Sequence, residues 1–208
     1  KKSQFIFLSE SINMISKILK SNKPDYLVVQ GDTNTSLAGC MAASFLNRGL
    51  KNKNKIKIVH IESGLRSFDD TMPEEINRKI IDRISNILFV PTKFDYNNLK
   101  REDCLKAKKV YVVGNTISDV IQKYLPLTSK SKILDRLKIN RKNFFLTTVH
   151  RPESVDNVEN LIKLNEIFEK IIKNYNHPIV FPIHPRTKDM INKYGIKLNN
   201  KIIITEPL

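Results

Sequence analysis

Apolar residues along this chain follow two alternating patterns. Ile12, Ile15, Ile18 and Leu19 recur at helical spacing between Ser9 and Ser21, with Pro24 just beyond to stop the turn. Tyr26 to Gln30 is then a short, nearly continuous apolar run that reads as a strand buried on both faces. A helix through Leu37, Met41, Ala42 and Phe45 to Gly49 follows, then a strand Ile56 to Ile61, a helix Pro73 to Ile84 and a strand Ile87 to Val90. Lys93 to Cys104 reads as helix, Val110 to Val113 as strand and Ile117 to Tyr124 as helix. Strand and helix alternate with no hairpin signal, which predicts βαβ units, parallel sheets and right-handed crossovers.

Pro126 to Lys132 is the most linker-like stretch, and it divides the chain into expected domains at 1–127 and 128–208. Beyond it the alternation restarts. A helix is expected over Ile133 to Lys138, a strand over Phe144 to Val149, a helix over Val155 to Asn174, a strand over Ile179 to Ile183, a short helix over Thr187 to Tyr194 and a strand over Lys201 to Ile204. Two doubly wound units in tandem, each sending polar loops from its strand ends, would face each other across a cleft. The first begins on a helix and both look cut, so the chain reads as the middle of a longer protein.

Composition narrows the class. No run of 18 or more apolar residues occurs, and neither a membrane span nor a secretory signal is expected. Cys40 and Cys104 have no ligand spacing and read as reduced, buried thiols of a cytoplasmic protein. The net charge of +15 would point to nucleic acid, but 27 of the 36 basic residues are Lys, dispersed and without interleaved aromatics, so an anionic small substrate fits better.

The chemistry lies immediately after the expected strands, where open parallel sheets place their ligands. The clusters are Gly31-Asp32-Thr33, Glu62-Ser63-Gly64-Leu65-Arg66, Gly114-Asn115-Thr116, His150-Arg151-Pro152-Glu153 and His184-Pro185-Arg186. Asp32 reads locally as an Asx-turn or N-cap residue. Glu62 has no comparable local role, and a carboxylate at the mouth of a buried strand is costly unless paired or functional. Thr71-Met72-Pro73-Glu74 fits a capping box, Glu75 and Lys79 fit a surface pair, and Glu74 and Arg78 share a helical face. His150 beside Arg151 fits a contact to phosphate or a leaving group, and His184 reads the same way. Walker A, GxGxxG, GxSxG and HExxH motifs do not occur in the sequence, so phosphate recognition must rest on glycine turns, helix N-termini and Arg or His side chains.

Taken in order, Gln30-Gly31-Asp32-Thr33-Asn34-Thr35, His60 to Ser67, Met72 to Arg78, Val113 to Thr116, Thr148 to Glu153 and Ile183-His184-Pro185 resemble the non-hydrolysing UDP-N-acetylglucosamine 2-epimerases. The resemblance runs from about Asp25 to the end of the chain. It implies an α/β protein with two Rossmann-like domains of the glycosyltransferase-B type, incomplete at both termini. It also implies reversible epimerisation of UDP-N-acetylglucosamine at C2 through 2-acetamidoglucal, without cofactor or metal. Its members are often homodimers. On these positions it makes Asp32, Glu62 and Glu74 the active-site carboxylates and His150 the imidazole near UDP. Arg66, Arg78, Asn115, Arg151, Glu153 and His184 become substrate contacts. A hydrolysing epimerase that releases N-acetylmannosamine and UDP, and a non-catalytic nucleotide-sugar-binding module, stand as alternatives.

Overall fold

The computed structural model describes residues 3–48, 50–51 and 54–206. The chain forms two compact units, Lys1–Leu125 and Pro126–Leu208. In unit 1, α1 (Gln4–Asn22), β1 (Tyr26–Gln30), α2 (Asn34–Leu46), β2 (Lys57–Ile61), α3 (Pro73–Ile84), β3 (Ile87–Val90), α4 (Lys93–Arg101), β4 (Lys109–Val112) and α5 (Thr116–Tyr124) alternate. The strands form a parallel sheet in the order β1-β2-β3-β4.

Local chemistry sets the ends of these elements. Ser3 caps α1 by accepting from the Ile6 amide, five residues earlier than the expected helix start. The helix closes at Lys23, which lies in the left-handed region. α2 ends at Leu46 with Asn47 as its cap; the expected end at Gly49 lies outside the described residues. Asn47 then locks the entry to β2, exchanging side-chain hydrogen bonds of 2.9 and 2.8 Å with the backbone of Ile56. α4 stops at Arg101, short of Cys104, and starts on a capping box made by Thr92 and Asp95.

The core of unit 1 lies between α1, α2 and α3 and the sheet, around Leu19, Leu37, Cys40, Ala43, Ile58 and Ile81. A smaller cluster of Leu88, Val90, Leu99 and Cys104 sits under α4. The small side chains Ala38, Cys40, Ala42 and Ala43 are buried along α2, which lets that helix approach its neighbours closely. One expectation is corrected here. β1 alternates instead of being buried on both faces, with Tyr26 and Val28 exposed, because it is the first strand in the sheet order and one of its faces is open among the described residues.

A 3-10 turn over Leu125–Lys130 crosses the boundary into unit 2, where a linker was expected. It continues through α6 (Ile133–Leu137), β5 (Phe145–Leu146), α7 (Pro152–Val155), α8 (Val158–Tyr175), β6 (Ile179–Pro182), α9 (Pro185–Lys193) and β7 (Ile202–Thr205). The parallel order is β5-β6-β7. The expected helix from Val155 is two pieces, because the Asn157 side chain caps a fresh start by accepting from the Glu159 amide. Phe168 and Phe181 meet edge to face at 5.6 Å within a core that also holds Val155, Leu161, Ile179 and Ile202.

Candidate active site

Both carboxylates expected at the C-terminal end of the unit 1 sheet lie on strained or tightly held turns. Gly31 ends β1 at φ +67°, and its amide extends the ladder to the Ile61 carbonyl at 3.1 Å. The cap of α2 is Thr33, whose hydroxyl accepts from the Ser36 amide at 3.1 Å. The N-cap reading of Asp32 is therefore corrected. Its carboxylate instead receives the Arg78 guanidinium, through Nε at 3.1 Å and a closer contact from Nη2. Asn77 on the same helix donates to the Asp32 carbonyl at 2.9 Å.

Glu62 follows β2 at φ +70°, a conformation that costs a residue with a Cβ about 1–2 kcal/mol. Gln30 Nε2 donates to its Oε1 at 2.8 Å and reaches Thr116 Oγ1 at 3.4 Å. The other Glu62 oxygen would lie 3.5 Å from a Cβ built on Gly31, so the two turns are neighbours.

The loop after Glu62 is held from three sides. Ser63 donates to the Phe89 carbonyl through its amide at 3.1 Å and its hydroxyl at 2.9 Å. Gly64 donates to Asp82 Oδ2 at 3.1 Å and accepts from Asn98 at 3.0 Å. The Ser67 amide and hydroxyl both reach Glu75 Oε2 at 2.9 Å.

Arg66 is placed in this scaffold as well. It gives Glu102 a two-pronged bond at 2.8 and 2.6 Å and donates to Asp82 at 2.8 Å, with its side chain fully buried. Burial works against its charge, but Glu102 and Asp82 outweigh it and hold the guanidinium's proton affinity above the ordinary value.

Of two local expectations on α3, one fails and one holds in part. Thr71 bonds to Asp69 and not to the helix start, where Met72 stands at the cap position without a side-chain capping bond, so no capping box forms and Glu74 is exposed on the first turn. Glu75 does pair with Lys79, at 3.7 Å, but its own side chain is buried, so the pair is not the surface pair expected. Its burial raises its affinity for a proton, but the bonds from Ser67 and Phe68 and the charge of Arg78 outweigh this and hold the carboxyl below its usual range.

After β4, Asn115 caps α5, its Oδ1 accepting from Ile117 at 3.0 Å, and the next residue is the Thr116 that Gln30 reaches.

In unit 2, His150 and His184 come together at the ends of β5 and β6, with ring centroids 5.6 Å apart. His184 also caps α9, Nδ1 accepting from the Arg186 amide at 3.2 Å. Thr187, buried, donates to the Val149 carbonyl at 2.6 Å and so fixes the backbone leading into His150. Arg151 and Glu153 are exposed and 3.9 Å apart. Arg186 is engaged by Asp156.

Sequence reasoning placed Gln30, His60 and Thr116 in motifs without giving them individual roles, and passed over Asp82 and Asn98. Asp82 carried the clearest signal, since it is an acid flanked by Ile80, Ile81 and Ile84 on a helix face that must pack. Among the described residues, no group of three or more His, Cys, Asp or Glu side chains is arranged to hold a metal ion, and no helix is long and apolar enough to cross a membrane.

Two units, each with a parallel sheet and with carboxylates, imidazoles or arginines following its strand C-termini, define an α/β protein of Rossmann-like type. The family model described as UDP-N-acetylglucosamine 2-epimerase matches residues 3–208, and the chain belongs to that family. It is 46% identical over 202 residues to a UDP-N-acetylglucosamine 2-epimerase of Methanococcus maripaludis, covering 93% of this chain and 52% of the relative. A UDP-2,3-diacetamido-2,3-dideoxy-D-glucuronate 2-epimerase of Pseudomonas aeruginosa is 38% identical, with 91% and 50% covered. The crystal structure of the Methanocaldococcus jannaschii UDP-GlcNAc 2-epimerase in complex with UDP-GlcNAc and UDP superposes with a TM-score of 0.86 at 41% identity, over 100% of this chain and 56% of that one. The chain thus spans about half the length of the relatives it matches.

Proposed function

We propose that this chain serves the reversible epimerisation of UDP-N-acetylglucosamine at C2 to UDP-N-acetylmannosamine, without cofactor or metal. The observation that carries the reading is Glu62. A non-glycine residue is held at φ +70° at the end of β2, with its carboxylate oriented by Gln30 next to the Gly31–Asp32 turn. Strain of this kind persists only where the surroundings over-determine it, and it clusters at functional sites.

C2 of the sugar has no neighbouring carbonyl to acidify it, so direct deprotonation is slow. Anti elimination avoids this. The C2 proton goes to a carboxylate, the C1–O bond breaks with its electrons leaving on UDP, and 2-acetamidoglucal forms. UDP then re-adds at C1 while a proton is delivered to the opposite face of C2. Inversion requires acid and base groups on two sides of the ring, and carboxylates stabilise the oxocarbenium-like charge.

Asp32, Glu62 and Glu74 are assigned as these carboxylates, and the exposed, uncapped state of Glu74 leaves it available to substrate. His150 is assigned to the UDP leaving group, where an imidazole can stabilise or protonate a phosphate oxygen. Arg151, Glu153 and His184 are assigned as substrate contacts, together with Arg78 through its hold on Asp32 and Asn115 at the start of α5. Arg66 acts from within the scaffold. We take the enzyme to be a cytoplasmic homodimer, which rests on the unpaired-cysteine pattern and the family resemblance.

The full-length protein incubated with UDP-N-acetylglucosamine should give UDP-N-acetylmannosamine with the sugar still attached to UDP. Free N-acetylmannosamine and UDP as sole products would overturn this in favour of a hydrolysing epimerase, and binding without turnover would favour a nucleotide-sugar-binding module. The Pseudomonas aeruginosa relative, at 38% identity, supports a second reading in which the sugar also carries a 3-acetamido group and a C6 carboxylate. Comparing kcat/KM for the two nucleotide sugars separates these substrates.

A further inference from the structure

His60 is fully buried at the fourth position of β2, and the proposed chemistry gives it no part. Its ring nevertheless touches both halves of the carboxylate site. Nδ1 lies 2.7 Å from Asp82 Oδ1, and Nε2 lies 3.0 Å from the Gly31 carbonyl. Asp82 through its second oxygen receives the Gly64 amide and Arg66 Nη1, both in the loop that Glu62 opens. A single imidazole therefore joins the turn carrying Asp32 to the loop carrying Glu62.

The Gly31 carbonyl is an effective point to hold. It belongs to the same planar peptide as the Asp32 nitrogen, so fixing its direction fixes where the Asp32 backbone begins. Gly31 at φ +67° has no Cβ to restrict its own rotation, which makes this turn the freest pivot in the segment. An apolar side chain in the place of a buried ionisable one is often as stable or more so, so stability alone is a weak reason for a buried His–Asp pair.

We propose that His60 is a positioning residue. Through Nε2 it fixes the Gly31–Asp32 peptide, and through Asp82 it references that peptide to the Gly64–Arg66 loop, so that the Asp32 and Glu62 carboxylates keep a working separation. The inference rests on the assignment of those two carboxylates above. A misplacement of about 1 Å at a reacting group is enough to cost about a hundredfold in rate.

The test uses three variants of the full-length protein. In His60→Gln the side-chain amide nitrogen falls near the position of Nε2 and keeps the bond to Gly31. In His60→Asn it falls near Nδ1 and keeps only the bond to Asp82. Asp82→Asn is isosteric and weakens the grip from the other side. The expected kcat loss is within about tenfold for His60→Gln and Asp82→Asn and about a hundredfold for His60→Asn, with KM changed less than about threefold throughout.

Amide hydrogen exchange over residues 31–36 supplies a readout independent of turnover. It should accelerate about tenfold in His60→Asn and stay close to wild type in His60→Gln. Thermal melts certify that each variant is folded. Should His60→Asn not fold, raised exchange over 31–36 in Asp82→Asn supports the strut, and wild-type exchange there overturns it. A kcat for His60→Asn equal to or above that of His60→Gln, or identical exchange in the two, overturns the proposal. If the wild type fails to epimerise, the functional reading falls and the exchange pattern alone decides the role of His60.

Discussion

Gly64 is the point where the Glu62 loop presses hardest on its scaffold. A Cβ added there would lie 2.5 Å from the Asp95 carbonyl oxygen, 2.9 Å from its carbon and 3.2 Å from the Asp95 Cβ. The obstacle is helix backbone, so it cannot swing aside as a side-chain tip would. Gly64→Ala therefore meets two costs. The left-handed φ of +81° costs about 1–2 kcal/mol, and forcing α4 back costs about 1–3 kcal/mol more. Retreat of α4 also stretches the bond from Asn98 to the Gly64 carbonyl, worth about 1 kcal/mol. Together the loss is about 3–6 kcal/mol, against a total stability of about 5–15 kcal/mol for a typical domain.

Gly114 is the internal control, since it has φ +89° but nothing within 4 Å of the added atom. Gly114→Ala should cost only the backbone term, about 1–2 kcal/mol. Urea unfolding followed by circular dichroism, with the midpoint shift compared at unchanged slope, measures both. Equal losses for the two variants would refute the steric argument and with it the claim that α4 fixes the Glu62 loop.

Glu75→Gln should destabilise the protein by about 1–3 kcal/mol at neutral pH, because the bonds from Ser67 and Phe68 and the charge of Arg78 lose their carboxylate. The folded-state proton affinity of Glu75 is depressed, so its contribution is complete above the unfolded carboxyl range and is lost as pH falls through the folded value. Wild-type stability should accordingly drop more steeply than that of Glu75→Gln below about pH 4, and matching slopes would contradict this. Arg66→Met should cost about 3–5 kcal/mol by leaving the buried Asp82 without its arginine, Glu102 being partly solvated, while the KM of the folded enzyme for the nucleotide sugar stays unchanged. A raised KM at wild-type stability would return Arg66 to the substrate. Burial, with Asp82 adding to it, pushes the Cys40 thiol up to about 12, and burial likewise raises Cys104. Neither should react with a thiol reagent at pH 8 until denaturant is added, and titration of free thiols before and after unfolding checks this.

The alternation of strand and helix was legible because parallel strands in this chain are short apolar runs separated by amphipathic helices, and each period is distinct. Ends were less so. The start of α1 at Gln4 depends on the Ser3 cap, and the division between α7 and α8 depends on Asn157, both settled by side chains the apolar pattern does not register.

In the site, Glu62 was visible because it has no local role, whereas rules that consider only near neighbours in sequence misread Asp32 and gave Glu75 only its Lys79 pairing. Their partners are Arg78 and Ser67, brought close by the fold. Thr71 satisfied the capping-box pattern, yet its hydroxyl found Asp69 two residues away, a competing local bond that the pattern ignores. His60, which opens a recognised motif, had its role hidden for the opposite reason. It sits inside an apolar strand, and its meaning comes from Asp82 and Gly31, 22 and 29 positions distant.

The central claim is that the carboxylates at the ends of β1 and β2 exchange the proton on C2 of the sugar. The most direct measurement is turnover of UDP-N-acetylglucosamine by the full-length protein in deuterium oxide, with C2 examined by NMR or mass spectrometry. The account predicts deuterium at C2 of the epimerised product, and its loss in folded Glu62→Gln and Asp32→Asn. Epimerisation without deuterium at C2, or undiminished exchange in both variants, would contradict it.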